Sequence, residues 1–354
     1  MTGVSADAMW SPIVEHGIPW CAANIHADAS WIDTPSGRWR VAVTSPCDRN
    51  CYVVSATAQY FDYAREETRR LASPVLRTIA RWSFTPLAPM LRALDPIVVL
   101  DALPVSTVLH PTRSRREWDD ALACGRLAYP QRPVVVRSLD PVTSAETIGH
   151  LLSNGLHLVP SRIVFHQDPR STAFWRIRNI RHDVALAEHA PMESRRMLAD
   201  DAPRIAELYW QLYGEKHSTL NPRFSVPWLA HGISAGVLRG SGLIHDGRVA
   251  AAYLSYTVHD IMTNPVFGYD ITLPQSLGLY RRLSLRALQD ARENRLRLHA
   301  SSGAPGFKQS RGGVPALEYH AVDLRTVRGA QRVAWQAMLW TANAIGPLML
   351  RSAT

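Results

Sequence analysis

The sequence predicts an α/β protein with two mixed β-sheets flanked by helices, one sheet in each half of the chain. Three observations carry this expectation. In the first half, short runs rich in Val and Ile alternate with runs of helical period. In the second, a hairpin and further strands are framed by amphipathic helices. The 354 residues, 46% hydrophobic and 19% charged, can also bury a substantial core and suit two domains of ordinary size.

In chain order, RWRVAVT (38–44) and NCYVVSAT (50–57) read as strands, YAREETRRLASPVLRTIARW (63–82) as a helix and DPIVVLDAL (95–103) as a buried strand. RREWDDALACGRLA (115–128) continues as a helix, RPVVVRSL (132–139) as a strand and SAETIGHLLSNG (144–155) as a helix stopped at Gly155. SRIVFHQ (161–167) closes the half as a strand. Residues 168–197 are polar, hold Pro169 and Pro191, and read as a crossover. The domains are accordingly set at 1–175 and 176–354.

The second half opens with ADDAPRIAELYWQLYGEKH (199–217), a helix with Ile205, Leu208, Tyr209 and Leu212 on one face and Lys216 at its C-terminal end. GVLRGSGLIHDGRVAAAYLSYTV (236–258) carries Asp246-Gly247 between two apolar runs, a strong hairpin signal. A strand (261–270), an amphipathic helix from about Leu277, strands at 296–301 and 316–324, and a long last helix follow.

The charge is +9 and comes almost wholly from arginine; the only lysines are Lys216 and Lys308. A basic surface of this kind permits a polyanionic partner such as tRNA. Four cysteines are too few to staple the chain, and Cys47 and Cys51 in CDRNC have no matching ligand pair nearby, so ordinary thiols and no metal are expected. The first residues lack a basic start followed by an apolar core, so a cytoplasmic setting is expected. The uncharged run 333–350 is interrupted by Gln336, Asn343 and Pro347. It reads as a helix packed on the protein, with peripheral membrane contact open and no integral span. His259, His299 and His320 read as core or surface residues.

Residues 265–322 carry a further pattern: a strand ending in Tyr269 and Asp270, a long helix, a strand with small residues, Phe307-Lys308, then Arg311-Gly312 before a final strand. This resembles the C-terminal half of GNAT-superfamily acyltransferases of the Fem-type branch, in which two GNAT-like halves stand in tandem. The resemblance covers residues 200 to 325 and reaches the first half only through its α/β pattern. PQSLGLY partly matches the phosphate-binding turn of GNAT proteins: Gln275 and Gly278 fit, while Tyr280 stands where a small residue would leave room for a pyrophosphate.

The resemblance implies an acyltransferase with no permanent cofactor, taking its acyl group from aminoacyl-tRNA or acyl-CoA. Aminoacyl-tRNA is slightly favoured, because Tyr280 obstructs the turn and the charge is basic. The acceptor would be the amino or hydroxylamino group of a small or peptide-like molecule. A second reading is an acetyl-CoA-dependent N-acetyltransferase, and a third is a binding module that kept the fold without chemistry. In Fem-type enzymes the Phe-Lys pair lies at the transfer centre, which assigns catalysis to Lys308, with Asp270 as base and Tyr269 beside it. Phe307, Arg311, Gly312, Gln275, Gly278 and Tyr280 are then expected at the donor. Lys216, His217, Asn221, Arg223 and Tyr319 are expected at the acceptor. Glu215 is a further candidate base, and Glu318 and Tyr319, on alternate faces of one strand, cannot both enter a cleft.

Overall fold

The computed structural model describes residues 6–45, 47–63, 65–66 and 88–353. The expected α/β architecture is present, but the two sheets run together into an 11-stranded mixed sheet flanked by helices. Its strands are β1 (Ala27–Thr34), β2 (Gly37–Thr44), β3 (Val98–Leu100), β4 (Val134–Leu139), β5 (His157–Gln167), β6 (Glu193–Arg196), β7 (Ser241–His245), β8 (Arg248–Val258), β9 (Ile261–Tyr269), β10 (Arg297–His299) and β11 (Val314–Asp323). The order across the sheet is β1-β2-β3-β4-β11-β5-β10-β9-β8-β7-β6. The helices used below are α1 (Asp7–His16), α2 (Ala88–Arg92), α3 (Arg115–Ala128), α4 (Ala145–Ser153), α5 (Arg178–His189), α6 (Ala202–Tyr209), α7 (Val226–Ser234), α8 (Leu279–Glu293), α9 (Pro305–Gln309) and α10 (Gly329–Ala353).

The order is nearly symmetric about its middle. β3 and β4 pair in parallel and are followed by β11; β10 and β9 pair in parallel and are flanked by β5. Each half of the chain thus places its last strand beside the parallel pair of the other, and the two exchanged strands pair with one another over Val314–Val322. In that register Glu318 lies directly across from Arg162. Their side chains close an ion pair at 2.8 Å with Glu318 1% exposed.

Local chemistry explains the elements. Ser114 and Glu117 form a reciprocal capping box that fixes the start of α3. Asp246 and Gly247 take positive φ in the β7–β8 turn, as a tight hairpin requires. Trp39 and Trp118 meet at a tilt with ring centres 4.8 Å apart between β2 and α3, and Trp10, Trp228 and Trp335 are fully buried in the main core.

Two expectations are corrected. The run 50–57 is buried but is a turn leading into a helix. Asn50 Oδ1 accepts from the amides of His26 and Cys51, and Asp95 accepts from those of Ala56 and Thr57. Amides satisfied by side chains have nothing left to give a neighbouring strand. Residues 168–197, read as a crossover, contain α5 and β6. Only Ile180 and Asp183 of α5 are fully buried, so its apolar period is faint. Of the helix expected at 63–82, residues 64 and 67–82 lie outside the described residues.

The Arg162–Glu318 pair generates a stability test. Removing one partner of a buried ion pair strands the other's charge, so Glu318→Ala should cost about 3–5 kcal/mol in urea unfolding. In an Arg162→Met background the same substitution should cost far less, because no charge is left behind.

Candidate functional site

The loop after β10 and the short helix α9 place Phe307 and Lys308. Lys308 is 9% exposed, and its ammonium donates to the carbonyls of Ala300 (2.6 Å), Ser302 (2.6 Å) and Ser301 (3.3 Å). Its Nζ lies 5.7 Å from the centre of the Phe165 ring. Burial, helped by the nearby Arg162 guanidinium, pushes its pKa down to about 7. The carbonyls pull the other way, since only the charged form can serve all three. Desolvation is the larger effect.

A polar chain runs from this lysine to the exchanged strands. The Ser301 and Thr107 hydroxyls are 2.9 Å apart, and Arg162 Nη2 donates to Thr107 Oγ1 (3.0 Å) and to Glu318 (3.1 Å). Lys308 is thereby tied to the centre of the sheet. Glu318 is occupied by this network, and it is Tyr319 that is partly exposed.

Phe307 faces an aromatic wall. Its ring is 4.5 Å from that of Tyr280, which also meets Phe267 (5.5 Å) and Tyr269 (5.9 Å). Burial raises the Tyr280 phenol to about 12. The Arg311 guanidinium lies 3.6 Å over the Phe307 ring and grips Asp183 of α5 through two hydrogen bonds (2.5 and 3.1 Å). Asp183 accepts from Arg281 as well (2.6 Å). Four residues expected near the donor or the chemistry, Tyr269, Tyr280, Phe307 and Arg311, thus come together, while the Lys308 ammonium turns to the carbonyls of residues 300–302.

Others do not join them in the expected way. Asp270 accepts from the Thr272 amide (2.9 Å) and hydroxyl (2.5 Å) and from Arg204 (2.6 Å). Burial opposes ionisation, but these bonds hold its carboxyl below the usual range. Such a carboxylate is a turn cap, poorly matched to taking a proton near neutral pH. Gly312 has φ +75°, and a Cβ there would meet Ile177 at 2.6 Å, so packing against the segment before α5 explains this glycine without a ligand. Gly278 starts α8 in the left-handed region, beside an exposed Gln275.

Asn221 is buried and donates to the carbonyls of Tyr213 and Ser218, which makes it the clasp of its own loop. Arg223 lies 5.0 Å over the Trp210 ring, while Glu215, Lys216 and His217 are exposed at the end of the wide-turned helical segment Trp210–His217.

Two features were missed from sequence. The first is a cleft of about 840 Å³ lined mostly by the first half of the chain, with Val258, His259 and Ile261 added from the second. It lies beyond the carboxyl ends of β3 and β4, at the N-termini of α3 and α4, and Arg113, Arg115, His110 and His259 contribute to its lining. Parallel strands followed by helices leave such crevices, but no spacing along the chain announces one. The second is a buried knot of Asp140, His166 and His299, which share ligand-capable atoms within 4.8 Å. His299 and His166 sit directly across from one another on β10 and β5. The Asp140 carboxylate already accepts from the amides of Val142 and Thr143 and the Thr143 hydroxyl. The Ser301 amide donates to His299 Nδ1, which leaves the proton of a neutral ring on Nε2. The carboxylate of the knot is thus largely committed to its own turn, while the buried Nε2 atoms of His166 and His299 have no hydrogen-bond partner among the described residues.

Solved structures share this architecture. L-PGS from Bacillus licheniformis is similar over 98% of this chain and 99% of its own, with a TM-score of 0.51 and 10% identity. FemX is similar over 89% and 91%, with a TM-score of 0.50 and 9% identity. A conserved protein of unknown function from Bacteroides thetaiotaomicron VPI-5482 gives 92% and 93%, 0.51 and 11%. No family model and no curated protein matches the chain. The chain thus shares its fold with L-PGS and FemX, in keeping with the α/β architecture that the resemblance implies.

Lys308 gives a pH test. Its ordinary value of 10.5 holds in the unfolded chain, against about 7 in the fold. Between these limits the unfolded chain retains a proton that the folded chain has released, so stability rises with pH across the window. Lys308→Met should remove that rise, as read from urea midpoints at the two ends of the window.

Proposed function

We propose that the protein is an acyltransferase that moves an aminoacyl group from aminoacyl-tRNA onto the amine of a small or peptide-like acceptor. The fold supports the general class. The observation that carries the choice of donor is Tyr280 at the start of α8, packed on Phe307 at 4.5 Å. Its ring takes the space in which backbone amides at a helix N-terminus would meet a pyrophosphate. An ester carried on tRNA needs no such cradle and is drawn instead by basic charge.

In the reaction the amine nitrogen attacks the ester carbonyl carbon, the bond from that carbon to the ribose oxygen breaks, and the proton lost by the amine ends on that oxygen. Lys308 exchanges its longest contact, 3.3 Å to the Ser301 carbonyl, for the developing oxyanion, while its two 2.6 Å bonds keep it aimed. Phe307 and Tyr280 form an aromatic face against which the terminal base of a tRNA can stack. The domain division at 175 and 176 belongs to this reading: each half supplies one face of the reacting complex, although their strands are exchanged.

A second reading, acyl-CoA as donor, is favoured by the 840 Å³ cleft lined mostly by the first half, whose arginines and helix N-termini suit a phosphorylated cofactor.

Binding of bulk tRNA and of acetyl-CoA, each at two salt concentrations, separates the readings. Tight tRNA binding that weakens steeply with salt, without acetyl-CoA binding, is the expected result. Saturable acetyl-CoA binding with weak tRNA binding would replace the first reading with the second. With charged tRNA and an amine acceptor, Lys308→Ala should lower turnover by about 100-fold or more. Unchanged turnover in a folded variant would remove Lys308 from the chemistry.

A further inference from the structure

The net charge of +9 is not spread over the chain. Residues 68–94 and 324–354 hold nine arginines and neither Asp nor Glu, while the remainder carries 30 charges of each sign and is neutral. Both stretches are otherwise rich in apolar residues. The fold brings their described parts together: α2 packs on α10, Gln331 donates to the carbonyls of Leu94 (3.2 Å) and Pro96 (2.9 Å), and Trp335 Nε1 donates to Leu94 (3.0 Å).

Along α10 the two sides differ. Ala334 and Trp335 are buried, and Met338 and Leu339 pack on the core. Arg332, Val333, Gln336 and Trp340 recur at helical spacing on the outer side and are exposed, Trp340 at 78% and Val333 at 59%. Arg328 before the helix and Arg92 at the end of α2 are exposed too.

We propose that this outer side of α10, with Arg92 and Arg328, docks on the surface of an anionic lipid bilayer. The helix would lie in the plane of the interface with Trp340 and Val333 toward the acyl boundary and the arginines at the headgroups. Charge and apolar surface on one side of a helix are what an interfacial helix requires, and a Trp ring with its single N–H suits the boundary itself. A crossing helix does not fit, since no helix among the described residues is long and apolar enough to span a membrane. Exposed Val333 and Trp340 on the same surface as the arginines also distinguish it from one made for a phosphate backbone alone. The proposal is independent of the acyl donor.

Co-sedimentation of the full-length chain with vesicles tests it. Vesicles of phosphatidylcholine with phosphatidylglycerol should capture the protein, phosphatidylcholine alone should capture it several-fold less, and salt should weaken capture. Trp340→Ala and the pair Arg92→Glu/Arg328→Glu should each reduce capture several-fold while circular dichroism stays unchanged, and Trp340→Ala should also leave bulk tRNA binding unchanged. Capture indifferent to lipid charge, or unaltered by both variants, would overturn the proposal. So would loss of tRNA binding in the arginine variant with vesicle capture intact, which would assign the surface to RNA.

Discussion

The pairing of β5 with β11, closed by Arg162 and Glu318, is the contact on which the rest of the molecule depends. Two strands that end different halves of the chain meet there and complete each other's sheets. A charge pair so deeply buried adds little net stability by itself, but it penalises any register in which either partner faces apolar surroundings. From Arg162 the same network passes through Thr107 and Ser301 to Lys308. The position of the buried amine is therefore set by the sheet and not by its own short loop.

This arrangement gives the two candidate regions different physics. Around Lys308 the walls are aromatic and the polar groups already have partners, so a ligand must displace existing contacts and compete with backbone carbonyls. In the cleft beside α3 and α4 the helix starts and arginines line an open volume, and a ligand would displace water. An enzyme that joins two molecules needs both kinds of place. Under the proposed function, the first would fix geometry at the reacting bond, and the second would suit a bulky charged ligand held apart from it.

Much of the fold was legible from local chemistry. The helix at 115–128 was read from its helical pattern and the β7–β8 turn from its Asp-Gly pair, each on residues only a few positions apart. Phe307, Lys308 and Arg311 stand within five positions of one another and could be singled out together through the resemblance, whereas the packing of Tyr280 on Phe307 with Tyr269 behind it follows from the fold. What escaped reading depends on distant partners. The amides of Ala56 and Thr57 are answered by Asp95, some forty positions on. Asp183 looks like an ordinary helix residue until Arg281 and Arg311 converge on it. Asp140, His166 and His299 come from three separate strands or strand ends. Strand exchange leaves no trace in periodicity, since β5 and β11 would look the same had each stayed in its own half.

That exchange also governs how the protein can be made. β4 and β5 are synthesised early, yet the strand that separates them, β11, comes from residues 314–323. Until these leave the ribosome, the first half presents an unpaired strand edge and an Arg162 with no counter-charge, a combination open to wrong pairing. The first half therefore cannot complete its sheet until residues 314–323 have emerged, so the two halves do not fold one after the other.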